Sequence, residues 1–78
     1  MLEATSRLRD IFSAVLGCDP GRLSDADSGK TLAAWDSVNH LQLLLAIEDA
    51  FGVQFAPEEF ANLTTFGAIR QRLERDSA

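Results

Sequence analysis

Seventy-eight residues, 46% hydrophobic and 24% charged, make one small domain with no room for a second. A chain this short buries only a little over ~60% of the surface its unfolded form exposes, so a large substrate cavity would consume the core. That weighs against a self-contained enzyme. The net charge of −5 is uneven, with eight acids between Asp19 and Glu59 against only Arg22 and Lys30, while the flanks carry four acids and five arginines. An acidic centre of this kind repels nucleic acid and anionic membranes and attracts basic protein surfaces.

The single cysteine, Cys18, has no cysteine partner for a disulfide or a metal site and reads as a small, partly buried apolar residue. No basic leader precedes an apolar run, and no stretch is long enough to span a bilayer, so the expected location is the cytoplasm. The initial methionine and the lack of linker-like ends predict a free-standing protein.

In chain order, Leu8, Ile11, Phe12, Val15 and Leu16 recur at helical spacing and predict a first helix from Ser6 to Leu16, stopped by Gly17 and Asp19-Pro20. Residues 18–36 form a long connection rich in Gly, Asp, Ser and Pro, with Leu23, Leu32 and Trp35 as apolar pins. Loops of this length in small domains tend to be functional. A second helix is expected from Ser37 to Phe51, with Asp36 as N-cap and Gly52 as its stop. Val53-Gln54-Phe55 is a short extended connector, and Pro57 opens a short helix to about Ala61 with Glu58 and Glu59 in its first turn. The last helix is expected from Thr64 as N-cap, with Phe66, Ile69 and Leu73 facing the core and Arg70, Arg72 and Arg75 complementing its C-terminal dipole. The fold class is therefore all-α: a bundle of three main helices plus one short helix, with a long loop between the first two.

The second helix carries two apolar stripes. On a helical wheel with Ser37 at zero, Leu43, Leu44, Ile47, Ala50 and Phe51 fall between about 220° and 340°, a wide core stripe. Val38, Leu41 and Leu45 fall between about 40° and 100°, beside Ser37 and bordered by Gln42, Glu48 and Asp49. A bundle of three main helices cannot easily bury a helix all round. The second stripe reads as an exposed recognition surface with an acidic rim; the alternative is that Leu23, Leu32 or Trp35 of the loop covers it.

Ser37 follows an acid and stands at a helix N-terminus, where unpaired N–H groups and the helix dipole would stabilise an attached phosphate ester. With Asp36 available as the cap, the serine hydroxyl is left free. A plain capping role for Ser37 is the competing reading.

These residues resemble the acyl carrier protein family. The resemblance rests on Asp36-Ser37-Val38 after the long loop, the run from Leu43 through Ile47-Glu48-Asp49 to Phe51-Gly52, Val53 to Phe55, the short acidic helix and Thr64-Thr65, and it spans nearly the whole chain. It implies that Ser37 receives 4′-phosphopantetheine from coenzyme A through a separate phosphopantetheinyl transferase, and that the arm's thiol holds cargo as a thioester. Asp36 resembles the family acid that helps position the transferase's magnesium. Other implied partners are acyl-loading and acyl-processing enzymes with basic docking surfaces, met by a monomer through Val38, Leu41, Leu45, Glu48 and Asp49.

The chain departs from the family pattern in places. Val38 stands where leucine is usual, and Asn39, His40 and Gln42 occupy positions where fatty-acid carriers often have acids. Trp35 and Phe51-Gly52-Val53 resemble carriers of specialised pathways. The Gly-Gly-x-Ser pattern common in peptidyl carriers is absent, which places an aminoacyl role second.

Three other functions compete with this one. A nucleophilic site of Ser37, His40 and Asp36 lacks an oxyanion partner, a strand-to-helix elbow and bulk for a pocket, and the wheel puts His40 on the core side. A calcium loop starting at Asp25 would put Lys30 where glycine is needed and Asp36 where a bidentate glutamate is needed. An unmodified helical interaction module remains, and it would tolerate replacement of Ser37.

Overall fold

The computed structural model describes residues 2–77 and the side chains of residues 5–75. Four α-helices follow one another: α1 Leu2–Leu16, α2 Ser37–Phe51, α3 Pro57–Asn62 and α4 Phe66–Ser77, with a single 3-10 turn at Pro20–Arg22 in the first loop. The all-α bundle expected from the periodicity is the fold. The first helix begins at Leu2, four residues before the expected start at Ser6, and the described residues include one isolated antiparallel bridge, Ser28 to Thr65.

The core is filled by Leu8, Phe12 and Leu16 of α1, Leu43, Leu44 and Ile47 of α2, and Phe66, Ile69 and Leu73 of α4. Each such side chain contributes roughly 1.5–3 kcal/mol by leaving water. Phe12 is the hub, edge-on to Trp35 at 5.3 Å and to Phe66 at 5.0 Å between ring centroids. That geometry sets the positive ring edge against a neighbouring π-face. Leu23 and Trp35 are buried and Leu32 is half-buried, so the apolar pins hold the long loop to the bundle.

The loop is also fixed by its backbone. The N–H groups of Phe66 and Gly67 donate to the carbonyls of Asp27 and Asp25, both at 3.0 Å. Loop carbonyls thereby satisfy donors that the first turn of α4 would otherwise leave unpaired. Gly67 is needed for this approach, since a Cβ there would lie 2.7 Å from Cβ of Asp25 and 2.9 Å from its carbonyl oxygen. The N-cap of α4 is Thr65, whose Oγ1 accepts from the N–H of Ala68 at 3.1 Å, and not Thr64 as the sequence predicts. Both residues have the right chemistry, and the bridge to Ser28 selects the second.

Arginines fasten acidic centre to basic flanks. Arg9 donates to the carbonyls of Pro20 and Leu23, both at 2.8 Å, and lies over the Phe66 ring. Arg70 binds both carboxylate oxygens of Asp25 and reaches Glu74. Arg72 pairs with Glu59. Of the three arginines expected to serve the α4 dipole, only Arg75 is in the last turn, because the helix continues to Ser77 and leaves Arg70 and Arg72 mid-helix. Arg7 instead serves α2, which has no basic residue in its own last turn, by donating to the carbonyl of Ala50 at 3.1 Å.

Candidate functional site

The start of α2 is built from three side chains with different tasks, Asp36, Ser37 and Asn39. Asp36 has an extended backbone, and its Oδ1 accepts from the N–H of Asn39 at 2.8 Å, the N-cap expected from the sequence. Asn39 uses its side-chain amide to donate to the carbonyl of Ala34 at 2.7 Å, fixing the angle at which the loop enters the helix. Ser37 is exposed and makes no capping bond. Among the described residues the backbone N–H groups of Ser37 and Val38 have no acceptor. An exposed hydroxyl beside two unpaired donors and the positive end of a helix suits an anionic ester.

Behind this turn His40 holds three elements together. The indole Nε1–H of Trp35 donates to His40 Nδ1 at 2.9 Å, and His40 Nε2 lies 2.6 Å from the carbonyl oxygen of Phe60 in α3. Since an indole N–H only donates, Nδ1 must accept, so Nε2 carries the proton and donates to Phe60. The wheel places His40 on the core side, but nothing local in the sequence identifies an indole and a carbonyl twenty residues away as its partners. With both ring nitrogens engaged and the Asp36 carboxylate on Asn39, the geometry does not assemble Ser37, His40 and Asp36 into a nucleophilic site.

The two stripes of α2 have separate fates. Leu43, Leu44 and Ile47 are fully buried, whereas Val38, Leu41 and Leu45 are 66%, 50% and 49% exposed. The loop does not cover the second stripe, because Leu23 and Trp35 turn into the core instead. At the far end of α2, Gly52 takes φ 66°, a left-handed conformation that glycine adopts without steric penalty, and lets the chain turn back. There Glu48 is half-buried and its carboxylate accepts from the N–H of Phe55 at 2.6 Å, while Asp49 is exposed. Sequence reasoning missed this role of Glu48, since an acid on a helix gives no sign that a connector seven residues on will lie across it.

The candidate calcium loop is occupied by internal bonds. Asp25 binds Arg70, and Asp27 accepts from the Ser24 N–H at 2.8 Å and the Thr31 hydroxyl at 2.8 Å. Among the described residues no group of three or more His, Cys, Asp or Glu could hold a metal ion, and no helix is long and apolar enough to cross a membrane.

The family model for a phosphopantetheine attachment site matches residues 6–73, most of the chain. The chain belongs to the phosphopantetheine-attachment carrier family. It is 32% identical over 77 residues to a protein described as an acyl carrier protein from Phaeodactylum tricornutum (strain CCAP 1055/1), covering 97% of this chain and all of that one. Carriers of this family are not catalysts: they bear phosphopantetheine and serve phosphopantetheinyl transferases and acyl-processing enzymes. The bonded imidazole of His40 agrees with such a role.

Proposed function

We propose that this carrier bears 4′-phosphopantetheine on Ser37 and presents an acyl-type cargo, as a thioester on the arm's thiol, to enzymes of a fatty-acid, polyketide or other specialised pathway. The observation that carries the reading is the exposed Ser37 hydroxyl at the N-terminus of α2, beside two unpaired N–H groups, with Asp36 already capping the helix. In the transfer, Ser37 Oγ forms the new P–O bond to the pantetheine phosphate of coenzyme A and loses its proton. The pyrophosphate P–O bond breaks and adenosine bisphosphate leaves. Asp36, next to the acceptor serine, supplies a carboxylate to the transferase's magnesium.

Partner recognition in this reading belongs to Val38, Leu41 and Leu45, with Glu48 and Asp49 as acidic rim facing basic enzyme surfaces. The stripe is exposed and leads into a shallow groove lined by Leu45, Glu48, Asp49, Gly52, Val53 and Gln54. Asp49 is the freer charge, since Glu48 is committed to Phe55. The start of α2 adds no acid of its own beyond Asp36. The carrier works as a cytoplasmic monomer, and its cargo is written in its partner enzymes.

The test is intact mass after incubation with coenzyme A, magnesium and a broad-specificity phosphopantetheinyl transferase, with Ser37→Ala as control. A gain of one phosphopantetheine in the native chain and none in the variant is expected. No gain with several transferases would leave an unmodified helical interaction module as the better account.

A further inference from the structure

His40 lies one turn into α2, and its two ring bonds tie together segments that meet around Ser37. On the loop side, the Trp35 indole N–H donates to Nδ1 at 2.9 Å and so closes residues 35–40 into a loop with Ser37 inside it. On the far side, Nε2 reaches the carbonyl oxygen of Phe60 in α3 at 2.6 Å. Both bonds run in one direction, from indole through imidazole to carbonyl, so each polarises the other.

The Phe60 carbonyl needs this donor. The N–H of Thr64, one turn further on, goes instead to the carbonyl of Asn62 at 3.0 Å, which leaves an open acceptor at Phe60 in the last turn of α3. None of the six residues of α3 is buried, so its placement depends on bonds to its neighbours. Glu59 ties it to Arg72 of α4, and the Phe60 carbonyl ties it to His40 of α2. The Ser37 turn is set by Asp36 on the Asn39 N–H at 2.8 Å, by Asn39 on the Ala34 carbonyl at 2.7 Å, and from behind by His40.

We propose that His40 is a positioning residue for transfer to Ser37, coupling the placement of α3 to the presentation of the serine hydroxyl. The proposal rests on attachment at Ser37. With both ring nitrogens engaged, His40 takes no proton from the hydroxyl and acts through the turn alone. Transfer needs the serine oxygen aligned on the phosphorus, and small misplacements of a reacting group are costly. A neutral imidazole suits this task because it accepts on one edge and donates on the other. Leucine would fill the same volume and join nothing, whereas glutamine keeps an acceptor and a donor on one side chain.

The experiment follows phosphopantetheine transfer by intact mass over time, across carrier concentrations and well below each melting point. It compares the native chain with His40→Leu, His40→Gln, Glu59→Gln and the double variant His40→Leu with Glu59→Gln. His40→Leu should lose about tenfold in kcat with KM changed less than about twofold, and His40→Gln should recover most of that loss. Glu59→Gln removes the charge opposite Arg72 yet keeps an acceptor for the Ala56 N–H. It should slow transfer about threefold in the native background and add nothing to His40→Leu, where the link is already cut. A loss in KM alone, equal slowing by leucine and glutamine, no effect of Glu59→Gln, or an effect that multiplies with that of His40→Leu overturns the coupling and leaves attachment standing. Nitrogen NMR of the native chain tests the link without any substitution: a proton on Nε2 supports it, and a proton on Nδ1 overturns it, because Trp35 would then face a donor. Failure of the native chain to gain mass overturns attachment, and the coupling with it.

Discussion

The indole N–H of Trp35 and Nδ1 of His40 are 2.9 Å apart, with the two rings stacked at 28° and 6.0 Å between centroids. This bond joins the end of the long loop to the second turn of α2, and the other imidazole nitrogen extends it to α3 through Phe60. Ser37 is therefore presented on a turn held from behind by a polar bond inside an aromatic cluster.

Replacing His40 with leucine keeps the volume roughly constant and strands the buried Trp35 N–H. An unpaired buried donor costs about 1–3 kcal/mol, so His40→Leu should lower the unfolding free energy by about that amount and alter the fluorescence of the only tryptophan. A urea titration followed at Trp35 measures both. An unchanged midpoint would show that the bond contributes nothing net.

Acid should loosen the loop before it melts the helices. Hydrogen bonding to Arg70 holds the Asp25 carboxyl below its ordinary range, the Ser24 N–H and Thr31 hydroxyl do the same for Asp27, and Arg72 and the Ala56 N–H for Glu59. A group depressed on folding stabilises the native state fully above its unfolded pKa, about 4 for carboxylates. That contribution is lost as pH falls through the lower folded value. The thermal midpoint should accordingly decline below about pH 4, and Asp25→Asn should start lower at neutral pH and show a shallower acid decline. Parallel curves for the two proteins would remove Asp25 from the account.

Gly67→Ala puts a methyl group into the Asp25 backbone. Relieving contacts of 2.7–2.9 Å requires the loop to withdraw from the start of α4. A cost of about 1–3 kcal/mol is expected, in line with overpacking elsewhere. Hydrogen exchange at Phe66 and residue 67 should accelerate more than exchange within α2. Equal acceleration everywhere would mean global destabilisation only.

On the exposed stripe of α2, stability and the proposed recognition should separate. Leu41→Glu alters a side chain that is 50% exposed, so it should leave the unfolding midpoint nearly unchanged while slowing modification by the transferase about tenfold, a loss typical of an interface anchor. Asp49→Lys should reduce the rate chiefly at low salt, by slowing encounter with a basic partner. Glu48→Ala should instead cost about 1 kcal/mol of stability, because the Phe55 N–H loses its acceptor. Modification kinetics by intact mass, with melts on the same samples, distinguish the three; a rate loss confined to Glu48→Ala would reverse the assignment of Asp49.

Period and punctuation alone determined a great deal here. The apolar spacing of α1 and α4, the cap at Asp36, the stops at Gly17 and Gly52 and the double stripe of α2 are all local properties, because a helix repeats every few residues and its ends need particular side chains. The position of Ser37 at the start of α2 was legible for the same reason. The wider stripe was legible as core and the narrower as exposed, and tertiary structure decided only whether the loop would cover the narrower one: Leu23 and Trp35 pack inward and leave Val38, Leu41 and Leu45 in water. It also chose Thr65 over Thr64 through the Ser28 bridge, drew Glu48 onto Phe55, and joined His40 to Trp35 and Phe60. Each of those choices depends on a partner brought near by the path of the loop, and no periodicity in one segment records where another will cross it.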